Sequence, residues 1–149
     1  DFAARPGEPN AFGLIQGEGN AVAPGKRPLS SMSPTLVTKK GKLVMAVGAS
    51  GGPTIITGTL QALLNRIDFG LDAAACVSRA RVHHQWMPDR LVVESELPRD
   101  VRFNLAGRGH LVRPTSHPFT AVQAVVRDLK EGLLYGASDP RKMGAPAGY

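Results

Sequence analysis

The sequence predicts an α+β domain, with helices layered on a largely antiparallel sheet. Three observations carry that expectation. Residues 35–49 read as a β-hairpin turning at Gly41. Residues 119–127 and 133–137 read as a second hairpin, turning through 128–132. Between the two, Ile56, Leu60, Leu63, Leu64 and Ile67 recur at helical spacing and predict one buried stripe. Hairpins with helices set between them are the pattern of a sheet covered by a helical layer.

Taken in order, residues 1–27 are rich in Gly, Pro and Ala and lack helical periodicity. This is a long loop, and loops of that length are functional lids or disordered segments. Within it, Ala11-Phe12-Gly13-Leu14-Ile15 is apolar enough either to fold down over a pocket or to cover a sheet edge. Residues 28–149 form the α/β core of what reads as one domain. In the first hairpin, Leu36, Val37, Leu43, Val44 and Val47 supply strand propensity and Lys39-Lys40-Gly41-Lys42 an exposed turn. Both faces of its second strand are largely apolar, which predicts an interior strand covered on both sides. Pro53 suits the first position of a helix, where its missing N–H costs nothing, and Gly70 ends that helix. A shorter helix over 73–79 has Asp72 as its N-cap. Residues 81–86 and 90–94 read as extended. A further helix opens at 97–100, turns Val101, Leu105 and Phe103 inward, and stops near Gly107 or Gly109. The tail 141–149 is again loop-like.

Composition narrows the function. At 149 residues the chain can bury a real core, and no apolar run in it is long enough to span a bilayer. It opens without Met and with an acidic residue, so it reads as a fragment or a processed piece. The lone Cys76 excludes an internal disulfide, and its alanine-rich helical setting predicts a buried, inert thiol. The net charge of +6 comes from basic residues scattered among acidic ones, with few aromatics for base stacking. That is a solvated surface rather than a nucleic-acid site. His83 and His84 are adjacent, so on a strand they face opposite ways and cannot share a metal. His110 and His117 show no partner spacing, and neither a metal nor another cofactor is expected.

The chemistry concentrates in residues 28–53, PLSSMSPTLVTKKGKLVMAVGASGGP. A hydroxyl pair, Ser30-Ser31, lies between Pro28 and Pro34, and Gly51-Gly52 lies at the start of the helix. Paired hydroxyl donors suit a carboxylate; the bland alternative is a Ser-rich proline turn. Two amide N–H groups at a helix N-terminus suit an oxyanion, although a tight strand-to-helix turn needs a Gly pair without any ligand. Gly48-Ala49-Ser50-Gly51-Gly52 also matches the GxSxG nucleophile elbow. That elbow sits on a parallel sheet, whereas this strand belongs to a hairpin, so a nucleophilic Ser50 is the minor alternative at this point. A Walker-type phosphate loop is excluded, because Pro53-Thr54 stands where Lys-Ser/Thr is required.

These residues carry a family resemblance. The opening DF, then NAVAPGKRPLSSMSPT, VGASGG, RVHHQW, GASDPRK and the final AGY together resemble the C-terminal part of the small subunit of γ-glutamyltransferases. The resemblance implies an N-terminal-nucleophile hydrolase fold, a four-layer αββα sandwich shared by two subunits cut autoproteolytically from one zymogen. It implies transfer of a γ-glutamyl group from glutathione or a related amide to water or an amino acid. An N-terminal Thr, here upstream of Asp1, would form the γ-glutamyl ester, with its own α-amine or a water as base. Carried over by motif, Ser30 and Ser31 hold the substrate α-carboxylate and Asp1 pairs with its α-ammonium. The amides of Gly51 and Gly52 form the oxyanion hole. Residues near 6–17 correspond to a lid, with Phe12 where several bacterial members carry Tyr, so the aromatic shield is kept without its hydroxyl. The implied partners are the large subunit, with an Arg for the α-carboxylate, and the missing N-terminal part of the small subunit. The implied compartment is the periplasm or the outside of the cell. Superfamily relatives acting as cephalosporin acylases or poly-γ-glutamate transpeptidases, and a non-catalytic homologue, are the alternatives. The piece alone is expected to be inactive.

Overall fold

A computed structural model describes residues 1–117 and 120–148. The elements run β1 (Thr35–Lys39), β2 (Lys42–Ser50), α1 (Thr54–Ile67), α2 (Ala73–Ser78) and β3 (Val82–His83), then β4 (Leu91–Glu94), α3 (Arg99–Gly107), β5 (Val112–Thr115), β6 (Ala121–Arg127) and β7 (Leu134–Ser138). Strands β1-β2-β6-β7 form one antiparallel sheet. Strands β3-β4-β5 form a second, with β4 and β5 parallel. Phe119, the first residue of the expected strand 119–127, and Tyr149 of the closing AGY lie outside the described residues.

The first hairpin forms as its sequence predicts. Lys40 and Gly41 take φ of 51° and 75°. A two-residue turn with both angles positive matches the natural twist of the strands it joins. The core lies between this sheet and α1 and α2, filled by Met45 and Val47 of β2, Val122, Ala124 and Val126 of β6, and Ala62, Ala73, Val77 and Ala137. Asp72 caps α2 by accepting from the Ala75 amide at 2.7 Å. Cys76 is buried there; burial pushes its thiol up, and Sγ donates to the Leu71 carbonyl at 3.4 Å.

Several expectations are corrected. Four residues of the expected α1 stripe face outward, Ile56, Leu60, Leu64 and Ile67 being between 39% and 60% exposed, while Leu63 packs against the core. The helix seats its small-residue face instead, Ile55, Gly58, Thr59 and Ala62. Small side chains let the helix approach the sheet closely, and a Cβ on Gly58 would lie 2.5 Å from Thr120 Cγ2. Helix α1 begins one residue later than expected, with Pro53 at the cap position. Only the Met45/Val47 face of β2 is covered among the described residues. The other face opens on a cavity of about 750 Å³ lined by Leu36, Ala46, Gly48, Val125 and Pro146. One helical layer on one sheet cannot cover both sides. The extended segment 81–86 is a strand only at Val82–His83, because Trp86 takes φ of 70° and turns the chain. No residue of helix α3 is fully buried: Leu105 is half-buried, Val101 is exposed, and Phe103 is exposed under the Arg99 guanidinium, 5.3 Å from the ring centroid. Strand β5 is an addition; its Pro114 argues against a strand by sequence but is tolerated at the sheet edge that β5 occupies.

Candidate functional site

The site is built where β2 runs into α1. Gly51 and Gly52 take φ of 149° and 62°, both in the positive region that favours glycine. Thr54 Oγ1 donates to the Gly51 carbonyl at 2.7 Å, and the Ile55 amide to the Gly52 carbonyl at 3.1 Å, closing the turn. A cavity of about 400 Å³ opens in front of it, lined by Asp1, Phe12, Ser30, Ser31, Gly52 and Gln85 among others. Thus five of the six residues singled out in the sequence share one cavity. Gly51 is the exception: it is half-buried behind Gly52 and is not part of the lining.

Asp1 is held beside Leu29 by a bond from its amino group to the Leu29 carbonyl and by the side chain of Asn20. Asn20, the first residue of NAVAPGKRPLSSMSPT, is buried at the end of a single 3₁₀ turn. Its Nδ2 donates to the Asp1 carbonyl at 2.7 Å and to Gln16 Oε1 at 2.6 Å, while its Oδ1 accepts from the Leu29 amide at 3.1 Å. The Ala3 amide adds a bond to the Asn20 carbonyl at 2.9 Å. One side chain therefore fastens the start of the chain beside residues 29–31. Ser30 Oγ accepts from the Met32 amide at 3.2 Å, which fixes the turn that presents the pair.

The opposite wall carries Thr57, His83, His84 and Gln85. The two histidines do diverge: His83 Nδ1 meets Thr57 Oγ1 at 2.8 Å, while His84 Nε2 meets Asp89 Oδ1 at 3.1 Å. Asp1 is the one carboxylate among the described lining residues, and no Lys or Arg lies among them. The positive end of α1 and the serine hydroxyls are therefore what this chain offers an anion.

Behind the glycine turn stands a buried ionic cluster. Arg81 pairs with Asp139 at 2.7 Å, and Arg141 with Asp139 at 3.0 Å and with Glu94. Glu94 Oε2 also accepts from the Arg81 amide at 2.8 Å. Burial works to raise the Asp139 carboxyl, but hydrogen bonds from the Arg141 and Val122 amides, with the Arg141 side chain and the Arg81 charge, outweigh it and hold it below the ordinary carboxylate value. Burial also lowers Arg81, against Asp139. Arg81 Nη1 donates to the Thr120 carbonyl at 3.0 Å, and Thr120 Oγ1 donates to the Ser50 carbonyl at 3.0 Å. The cluster thus braces the residue that precedes Gly51. The Ser50 hydroxyl accepts from Lys142 Nζ at 2.7 Å, and β2 lies between two antiparallel neighbours, so the elbow geometry is absent.

An antiparallel sheet helix-covered on one side and open on the other, with a cavity at one strand end, matches part of the expected N-terminal-nucleophile hydrolase sandwich. Comparison with known proteins specifies it further. The chain belongs to the gamma-glutamyltranspeptidase family, whose model matches residues 1–149. It is 46% identical to the glutathione hydrolase proenzyme of Escherichia coli, over 100% of this chain and 26% of that protein. It superposes on the crystal structure of the Helicobacter pylori gamma-glutamyltranspeptidase T380A mutant with a TM-score of 0.88 and 42% identity, covering 95% of this chain and 77% of that one. A cephalosporin acylase from Bacillus halodurans shares the fold with a TM-score of 0.76 and 32% identity, over 87% of this chain and 25% of that one. The chain spans about a quarter of the length of the curated relatives it matches.

Proposed function

We propose that the protein containing this chain transfers γ-glutamyl groups from glutathione or related γ-glutamyl amides to water or amino acids. In this reading the chain supplies the seat for the substrate head group and the oxyanion hole. Asp1 takes the α-ammonium, Ser30 and Ser31 donate to the α-carboxylate, and the Gly51 and Gly52 amides receive the negative charge that develops on the side-chain carbonyl. The nucleophilic Thr, the Arg for the α-carboxylate, and the layer that covers the open sheet face and the outer stripe of α1 come from the large subunit and the rest of the small one. No helix among the described residues is long and apolar enough to cross a membrane. The family resemblance supports a periplasmic or secreted protein.

The observation that carries this reading is that Asp1, Ser30, Ser31 and Gly52 line one cavity. The full-length protein is expected to release p-nitroaniline from γ-glutamyl-p-nitroanilide. The 149-residue chain alone is expected to release none. Ser31→Ala should raise KM for this donor by about tenfold or more, the loss expected of a hydrogen bond to a charged group. An unchanged KM would remove the serines from carboxylate binding. An acylase would prefer a glutaryl anilide, which lacks the α-ammonium; equal or faster turnover of that substrate would overturn the glutamyl assignment.

A further inference from the structure

Residues 10–14 form a small closed turn above the pocket. Asn10 Oδ1 accepts from the Phe12 amide at 2.9 Å and the Leu14 amide at 3.0 Å. The Asn10 carbonyl accepts from Gly13 at 2.9 Å, and the Asn10 amide donates to Leu14 at 2.9 Å. Bonded to itself in this way, the tip is a self-contained unit. It holds the Phe12 ring so close to Gly52 that a Cβ there would lie 2.8 Å from Phe12 Cε1.

What docks the tip is a side chain 73 residues away. Gln85 Nε2 donates to the Phe12 carbonyl at 2.9 Å and to the Met87 carbonyl at 3.0 Å. Two carbonyls claim the NH₂ group, so Gln85 Oε1 faces the other way, toward His83 Nε2 at 2.9 Å. That nitrogen must then carry a hydrogen. The other ring nitrogen meets Thr57 Oγ1 on the first turn of α1. Pro88 Cδ sits 3.5 Å from where a Gly13 Cβ would be, so the same segment also packs on the tip. A continuous hydrogen-bonded path thus runs from the lid, through Gln85 and His83, to the helix whose N-terminus presents Gly52. It grips the lid by a backbone carbonyl, so it does not depend on the hydroxyl that Phe12 lacks.

We propose that Gln85 is a positioning residue for the γ-glutamyl site: it fastens the lid tip so that Phe12 closes over Gly52, and it thereby sets how tightly the donor is retained. This rests on the function proposed above. Gln85→Glu in the full-length protein keeps the acceptor for His83 and replaces the donor to Phe12 by an oxygen. KM for γ-glutamyl-p-nitroanilide should rise about fivefold or more, with kcat changed by less than about threefold. Amide exchange of residues 10–14 should quicken about fivefold or more while that of β2 and β6 stays at the wild-type rate. Placed on Phe12→Ala, the same substitution should add little further to KM, because both act through one ring. Unaltered KM with unaltered lid exchange overturns the proposal. So does a fall in thermal midpoint with faster exchange throughout the sheet, which marks a merely structural residue, or a full additive effect on the Phe12→Ala background. A wild-type protein that turns over no γ-glutamyl donor counts instead against the function, and the exchange measurement still decides the role of Gln85.

Discussion

Gly52→Ala in the full-length protein should lower kcat for γ-glutamyl transfer by about 10²-fold or more, the usual consequence of losing one oxyanion donor. Two effects converge at this position. The backbone holds φ of 62°, where a Cβ costs about 1–2 kcal/mol. Relaxing that strain rotates the peptide plane and takes the amide off target. The added methyl also meets Phe12 Cε1 at 2.8 Å, so the ring must leave its place over the pocket. The two are separable. Phe12→Ala removes the steric conflict and leaves the backbone strain, so the double variant should remain slow in kcat. Recovery to the rate of Phe12→Ala alone would mean that the lid, rather than the amide, accounts for the loss.

Asp139→Ala should be the most destabilising change outside the pocket. It strips Arg81, only 2% exposed, of its ionic partner and leaves a buried guanidinium, for which about 3–5 kcal/mol is the expected cost. It also removes the acceptor of the Val122 amide, bonded at 2.7 Å. The expected result is a marked drop in thermal midpoint, with catalytic loss following because Arg81 no longer steadies Thr120 behind Ser50. A midpoint equal to wild type would show the cluster to be dispensable. The pH dependence has a definite sign. The folded-state carboxyl of Asp139 lies below its ordinary value of 3.8, so its contribution is present above that value. It is lost as pH falls through the depressed native value. Asp139→Asn should flatten that acid limb.

The parts of the fold readable from sequence are those decided locally. Lys40-Gly41 must turn a hairpin, Asp72 must cap a helix, and Gly51-Gly52 before Pro53 must join strand to helix, because each is written within a few residues. The α1 stripe misled for a physical reason: periodicity reveals two faces without saying which one the sheet takes. Here close approach selected Gly58 and Ala62 and left Ile56, Leu60, Leu64 and Ile67 outside. Strand β5 was hidden by Pro114, whose penalty disappears at an edge. Within the site, Ser30-Ser31 and the glycines were recognisable as chemistry and as family motif. Asn20, His83 and Gln85 stood inside the family motifs too, but nothing in the sequence showed what they do. Their partners lie up to 73 residues away, and no local pattern marks an amide that will reach that far.

The ionic cluster bears on how the protein is made. Its members come from positions 81 and 94 and from Asp139 and Arg141, close to the end of this sequence. As the polypeptide emerges from the ribosome, the glycine turn is synthesised before Asp139 and Arg141, so the cluster behind it cannot assemble until they are available. The glycine turn therefore gains its brace only after residues far downstream of it have emerged. A nascent protein stalled short of Arg141 would carry the glycine turn without the brace that steadies Ser50.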